Sequence, residues 1–178
     1  MLFNSTMFAN TLKTWTGKGA CSIVFDSDVD RFIEASLFEH IRGRPNIAII
    51  ASTSDGDVFG GYYTVAVTEI WETFRDPNIF IFSSESRGRC YTPQRFALKP
   101  GKRKRSAYVK FFWHSYDQWY VEFGAGGTDG LSLGDERSFT WCNNLAKCFV
   151  GIENTTLTGR NGKNYPHVCE RILAVQFW

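Results

Sequence analysis

Two hydrophobic rhythms run along the chain. Near the start, Phe8, Leu12 and Trp15 recur at intervals of four and three, the spacing that gathers side chains on one face of a helix. Gly17 and Gly19 end that stretch, as glycine does at helix C-termini. Residues 1–19 are therefore expected to be a helical extension, ahead of a domain spanning 20–178. From residue 20 onward the rhythm shortens. Ser22-Ile23-Val24-Phe25 reads as a strand and Asp26-Ser27-Asp28 as the turn after it. Residues 32–41 read as a helix: Phe32, Ile33, Leu37, Phe38 and Ile41 share a face, and Gly43 and Pro45 stop it. Ile47-Ala48-Ile49-Ile50-Ala51 is apolar without a break, which predicts a strand covered on both sides.

Turn chemistry punctuates the rest. Ser54-Asp55-Gly56-Asp57 reads as a hairpin turn, because Asp-Gly supplies the positive φ a tight connection needs. Residues 58–63 form the return strand. Its paired Gly60 and Gly61 imply a bulge or the close approach of another backbone. Asp76-Pro77-Asn78 is a turn before a strand over 79–82. Residues 99–105 are a basic loop, 108–113 a strand, 115–118 a turn and 119–123 an alternating strand. Residues 124–130 are a glycine loop, 131–133 a short strand, and 134–167 irregular. A strand over 169–178 closes the domain, with Ile172, Leu173, Val175 and Phe177 as its core residues. Many short strands, one or two helices and no βαβ alternation predict a mainly β fold, a sandwich with helices on its ends or edges.

Composition sharpens this picture. The 178 residues suit one domain, and the aromatic share of 16% favours pleated sheet surfaces. A net charge of +2 excludes a global field strong enough to draw the chain onto nucleic acid or membrane. Met1-Leu2-Phe3 runs straight into Asn4, Ser5 and Thr6, unlike a secretory leader. No apolar run is long enough to span a bilayer. The expected location is intracellular and cytoplasmic, with the nucleus as an alternative. The five cysteines, Cys21, Cys90, Cys142, Cys148 and Cys169, make no Cys-x-x-Cys pair, so buried reduced thiols are expected and no metal.

Candidate chemistry is sparse. The basic loop carries Lys99, Lys102, Arg103, Lys104 and Arg105, with Lys110 just beyond. Like charges at this density favour exposure, so the loop reads first as a solvated hairpin loop and, as the alternative, as a contact for nucleic acid or an acidic partner. Tyr108, Phe111, Phe112 and Trp113 lie behind it in strand sequence, where core packing is their default use and base stacking the functional one. Cys90 follows Arg87 and Arg89, neighbours that favour thiolate, and is the candidate redox thiol. Gly124, Gly126 and Gly127 lie in a loop that lacks the lysine and the helix of a phosphate cradle, so they are assigned with Gly60 and Gly61 to shaping the fold. Asp26, Asp28 and Asp30 alternate like an EF-hand, but Arg31 and Leu37 stand where that loop needs Gly and Glu. His40, His114 and His167 are scattered, and no Gly-x-Ser-x-Gly is present. The sequence therefore predicts no enzyme, no cofactor and no small-molecule substrate.

The order of the pieces resembles the TLDc domain of the oxidation-resistance proteins. The resemblance rests on residues 23–27, the helix around Phe38, residues 47–50 and 79–82, and above all on two blocks. These are Asp55-Gly56-Asp57-Val58-Phe59-Gly60-Gly61-Tyr62 and Phe123-Gly124-Ala125-Gly126-Gly127. Cys148-Phe149 and Asn154-Thr155-Thr156-Leu157 add a late match. The closing Ala174-Val175-Gln176-Phe177-Trp178 departs from it, lacking the family's Glu before the aromatic. The resemblance implies two antiparallel sheets flanked by helices and a non-catalytic protein-interaction module. It also implies a role in oxidative-stress protection, with the vacuolar proton-pumping ATPase as partner in several relatives. The alternative function is a nucleic-acid-binding regulatory protein using residues 99–105.

Overall fold

A computed structural model describes residues 5–30, 34–102, 107–114, 118–125, 129–134, 140–162 and 167–178. Helix α1 (Ser5–Thr16) leads into strand β1 (Cys21–Asp26), helix α2 (Glu34–Ile41), β2 (Ile47–Thr53) and β3 (Val58–Tyr63). Then come β4 (Thr73–Arg75), β5 (Phe80–Glu85), β6 (Gln94–Ala97), a 3-10 turn over Pro100–Lys102, β7 (Ala107–His114), β8 (Gln118–Ala125) and β9 (Gly130–Gly134). The chain finishes with β10 (Trp141–Asn143), helix α3 (Leu145–Cys148) and β11 (Cys169–Phe177). Two sheets result, with every pairing antiparallel. Sheet A has six strands in the order β1-β11-β2-β3-β5-β6, and sheet B has five in the order β10-β9-β8-β7-β4. This is the expected sandwich.

The unbroken apolar run of β2 behaves as its pattern predicts. Ile47, Ile49 and Ala51 face the core between the sheets. Ala48 and Ile50 face the other way, into a second cluster with Tyr62, Phe80, Phe82, Leu173, Val175 and Phe177. That outer surface would be wet in an uncovered sheet, but Phe8, Leu12 and Trp15 of α1 cover it. Phe8 lies 5.5 Å from Phe82, and Trp15 meets Phe80 edge-on at 6.5 Å. A buried aromatic or Leu of this kind contributes about 1.5–3 kcal/mol.

The glycine pair of β3 is where the two layers close on each other. Gly61 faces sheet B, and a Cβ there would sit 2.6 Å from the Phe123 ring. Gly60 faces α1's side, where a Cβ would land on the carbonyl oxygen of Ile49 and 2.7 Å from the Phe82 ring. The close approach comes from rings and a neighbouring carbonyl; the register shift in this strand falls one step earlier, between Val58 and Phe59.

Several local readings change. Gly124 belongs to β8, not to a loop, and Tyr108 lies flat across it, its ring 2.6 Å from where a Cβ would be. Gly126 and Gly127 lie outside the described residues, as do residues 31–33 of the expected second helix. Within the stretch expected to be irregular, β10 adds an edge to sheet B and α3 follows it. The aromatics of β7 divide between two faces: Phe111 is in the core, whereas Tyr108 and Phe112 are half-buried on the outside.

Candidate functional site

The outer face of sheet B is populated unlike its inner one. Strand alternation puts Tyr108, Lys110 and Phe112 of β7 on it, with Glu122 of β8, Ser132 of β9 and Trp141 and Asn143 of β10. At the β4 end, Trp71 stands 51% exposed. Its amide donates to Phe111 O at 2.8 Å, and its φ is +72°. A bulky residue in the left-handed region is strained by roughly 1–3 kcal/mol, and such strain gathers at binding sites. The Trp71 and Phe112 rings lie 5.8 Å apart, and Lys110 Nζ sits 5.9 Å from one centroid and 5.6 Å from the other. The sheet thus presents an aromatic pair under a cation.

Of the basic residues that the sequence grouped, the structure describes Lys99, Lys102 and Lys110. Lys99 is exposed and its amide donates to Cys148 O at 2.9 Å. Lys102 ends the 3-10 turn. Arg103, Lys104 and Arg105 lie outside the described residues. Lys110 belongs to the sheet face, with Trp71 and Phe112.

A second polar assembly sits at the β2–β3 hairpin. Asp57, only 1% exposed, pairs with Arg89, whose guanidinium also donates to Leu157 O at 2.9 Å and, through Nε, to Thr156 O at 3.0 Å. Arg89 thereby ties together the hairpin, the segment after β5 and the 154–158 turn. Burial raises the Asp57 carboxyl pKa above its ordinary value, and Arg89 acts against that rise. His167 is buried beside it, its Nδ1 3.2 Å from Asp55 Oδ2. Asp57 Oδ2 and His167 Nε2 are buried without a hydrogen-bond partner among the described residues. Nearby, burial pushes the Cys142 thiol up to about 12, which holds it protonated at neutral pH. Sequence reading missed this assembly: Asp57 reads as turn, and Arg89 as a neighbour of Cys90.

Cys90 itself is buried, and its amide donates to Ser86 Oγ at 2.5 Å. The flanking arginines point to carboxylates, Arg89 to Asp57 and Arg87 to Asp55 at 3.9 Å. No two cysteines are joined in a disulfide. The aspartates after β1 surround a guanidinium. Arg171 donates to Asp26 through Nε at 3.0 Å and Nη2 at 2.6 Å, and reaches Asp28 at 3.0 Å. The Arg171 contact holds the Asp26 carboxyl below its ordinary pKa. Asp30 accepts the Asp26 amide at 2.8 Å within the turn, and Ser27 Oγ accepts the Ile172 amide at 2.9 Å, which staples the turn to β11.

Comparison with protein families matches residues 5–170 to the TLDc domain. Comparison with curated proteins finds no match. The family match takes in α1, all of sheet B and sheet A as far as the start of β11, including the β2–β3 hairpin, the glycine pair and the Gly124 strand. The chain belongs to the TLDc domain family.

Proposed function

We propose that this chain is a non-catalytic protein-interaction module of the cytoplasm, acting in protection from oxidative stress, with the vacuolar proton-pumping ATPase as its partner. The observation that supports the reading is Trp71, held out beside Phe112 and Lys110 on strained backbone. Tryptophan is enriched among the residues that carry most of the binding energy at protein interfaces, and this ring is 51% exposed although it packs on Phe112. Replacing Trp71 with Gly separates binding from folding. Glycine adopts positive φ freely, so stability in urea is expected to stay level or rise by about 1 kcal/mol. Binding to the purified pump is expected to weaken at least tenfold, about 1.4 kcal/mol. Unchanged affinity would count against the face.

The second reading, a nucleic-acid binder, draws on the same cation. Lys110 over two aromatic rings, with the basic stretch 99–105 leading into β7, suits stacking of single-stranded bases. Its mark is affinity that falls steeply with salt and collapses when the loop's basic residues become alanine.

A further inference from the structure

Beside the Trp71 face, the outer surface of sheet B carries a small, open cleft lined by Tyr108, Glu122, Gly124, Asp129, Ser132 and Trp141. Its parts follow from strand register. Glu122 lies opposite Ser132 on the next strand, and Ser132 opposite Trp141 on the one after, so carboxylate, hydroxyl and indole form a row across β8, β9 and β10. Tyr108 can lie over β8 because its partner there is Gly124, and its hydroxyl donates to Glu122 Oε2 at 3.3 Å. Asp129 closes one end, held by Asn144 Nδ2 at 2.8 Å and by Lys147 at 3.6 Å.

One atom in this row is out of order. Ser132 is 1% exposed, and its Oγ has no hydrogen-bond partner among the described residues. A buried hydroxyl without a partner is destabilising, and this one lines a cleft whose inner part takes a group the size of one water molecule. Three features select the group. Glu122, which faces Lys110 across the β7–β8 register, and Asp129, which pairs with Lys147, put carboxylate oxygens that accept donors on the lining. Ser132 Oγ calls for a hydrogen-bonding partner and not a methyl. The aromatic walls Tyr108 and Trp141 suit a cation against their faces. The inner space is small for a planar guanidinium but matches an ammonium head, which is about the size of water and carries three donors.

We propose that the cleft is a binding site for a primary ammonium group, which donates to Glu122 and Ser132 Oγ between the Tyr108 and Trp141 rings. The group belongs either to a lysine side chain of a partner protein or to a small free amine. This goes beyond the pump reading and does not depend on it, because the test uses amines alone.

The experiment titrates the chain with n-butylammonium, with Nα-acetyl-lysine methylamide and with its Nε-acetylated form, following backbone amide NMR shifts of β8–β10. Saturable binding of the charged amines is expected, with Kd on the order of 1–10 mM for so small a contact, and none for the acetylated form. Glu122→Gln is expected to weaken binding at least tenfold and Ser132→Ala severalfold. Each variant is checked for an otherwise unchanged amide spectrum, and either one suffices if the other misfolds. Tighter binding of the lysine derivative than of n-butylammonium assigns the site to a protein side chain; equal binding assigns it to free amines. Linear, non-saturating shifts, equal binding of the acetylated form, or affinity unaffected by both substitutions would overturn the proposal.

Discussion

Arg89→Ala is expected to destabilise the fold by about 3–5 kcal/mol at neutral pH, the usual result of stripping one partner from a buried ion pair. The arginine neutralises Asp57, which is 1% exposed, and it satisfies two backbone carbonyls, Thr156 O and Leu157 O, on a separate segment. Alanine would leave the carboxylate buried, with Oδ2 already lacking a hydrogen-bond partner among the described residues. The size of the loss should depend on pH, and its sign can be worked out. Burial raises the Asp57 pKa above its ordinary 3.8, whereas Arg89 lowers it. Removing the arginine therefore raises it further. A carboxyl with a raised folded pKa favours folding below its unfolded value, and that contribution is lost as pH climbs through the folded pKa. The variant's deficit should be largest at pH 7 and shrink toward pH 4. Urea denaturation at the two pH values measures it. Adding Asp57→Asn to Arg89→Ala should return a large part of the loss by removing the stranded charge. A deficit below about 1 kcal/mol, or one that grows on acidification, would contradict this assignment.

Gly60→Ala is expected to be at least as damaging as an ordinary overpacked core substitution, at about 3 kcal/mol or more. Its new methyl would meet the carbonyl oxygen of Ile49, part of a sheet backbone that cannot swing aside, and the Phe82 ring packed under α1. Gly61→Ala strikes the other face, 2.6 Å from the Phe123 ring. A ring can shift where a backbone carbonyl cannot, so about 1–3 kcal/mol is expected there. The two substitutions should respond differently to a change in the opposing ring. Phe123→Leu vacates space above Gly61, so Gly61→Ala should cost less in that background, a coupling of about 0.5–3 kcal/mol. Gly60→Ala should not be relieved, because Phe123 is on the other side of the sheet. Thermal and urea denaturation of the six chains in this scheme reads the outcome; equal coupling at both glycines would mean that the layers do not meet as described.

How much of this was legible beforehand depended on the range of the interaction. The double-sided burial of β2 was visible because five apolar residues in a row leave no wet face; the spacing of Phe8, Leu12 and Trp15 showed a helix but not the surface it covers, which only the fold supplies. The Asp55-Gly56 turn was visible because its backbone demand is local. Strands β4, β6 and β10 were not, since three or four residues carry too little periodicity and depend on their neighbours for pairing. The ion pair Arg89–Asp57 joins residues 32 apart, and the Asp26–Arg171 bond residues 145 apart. Neither spacing has a sequence signature. The Glu122–Ser132–Trp141 row exists only through strand register, so Glu122 reads as one polar step of an alternating strand until its neighbours are placed.

Direct binding to the purified vacuolar proton-pumping ATPase tests the central claim most closely. The wild-type chain and a variant carrying Lys102→Ala, Arg103→Ala, Lys104→Ala and Arg105→Ala would be titrated at physiological ionic strength with and without nuclease treatment. An interaction module predicts saturable binding by both, with little change between them. Failure of both to bind the pump, with wild type alone retaining nucleic acid that nuclease removes, would contradict it and leave the basic loop as the working part of the molecule.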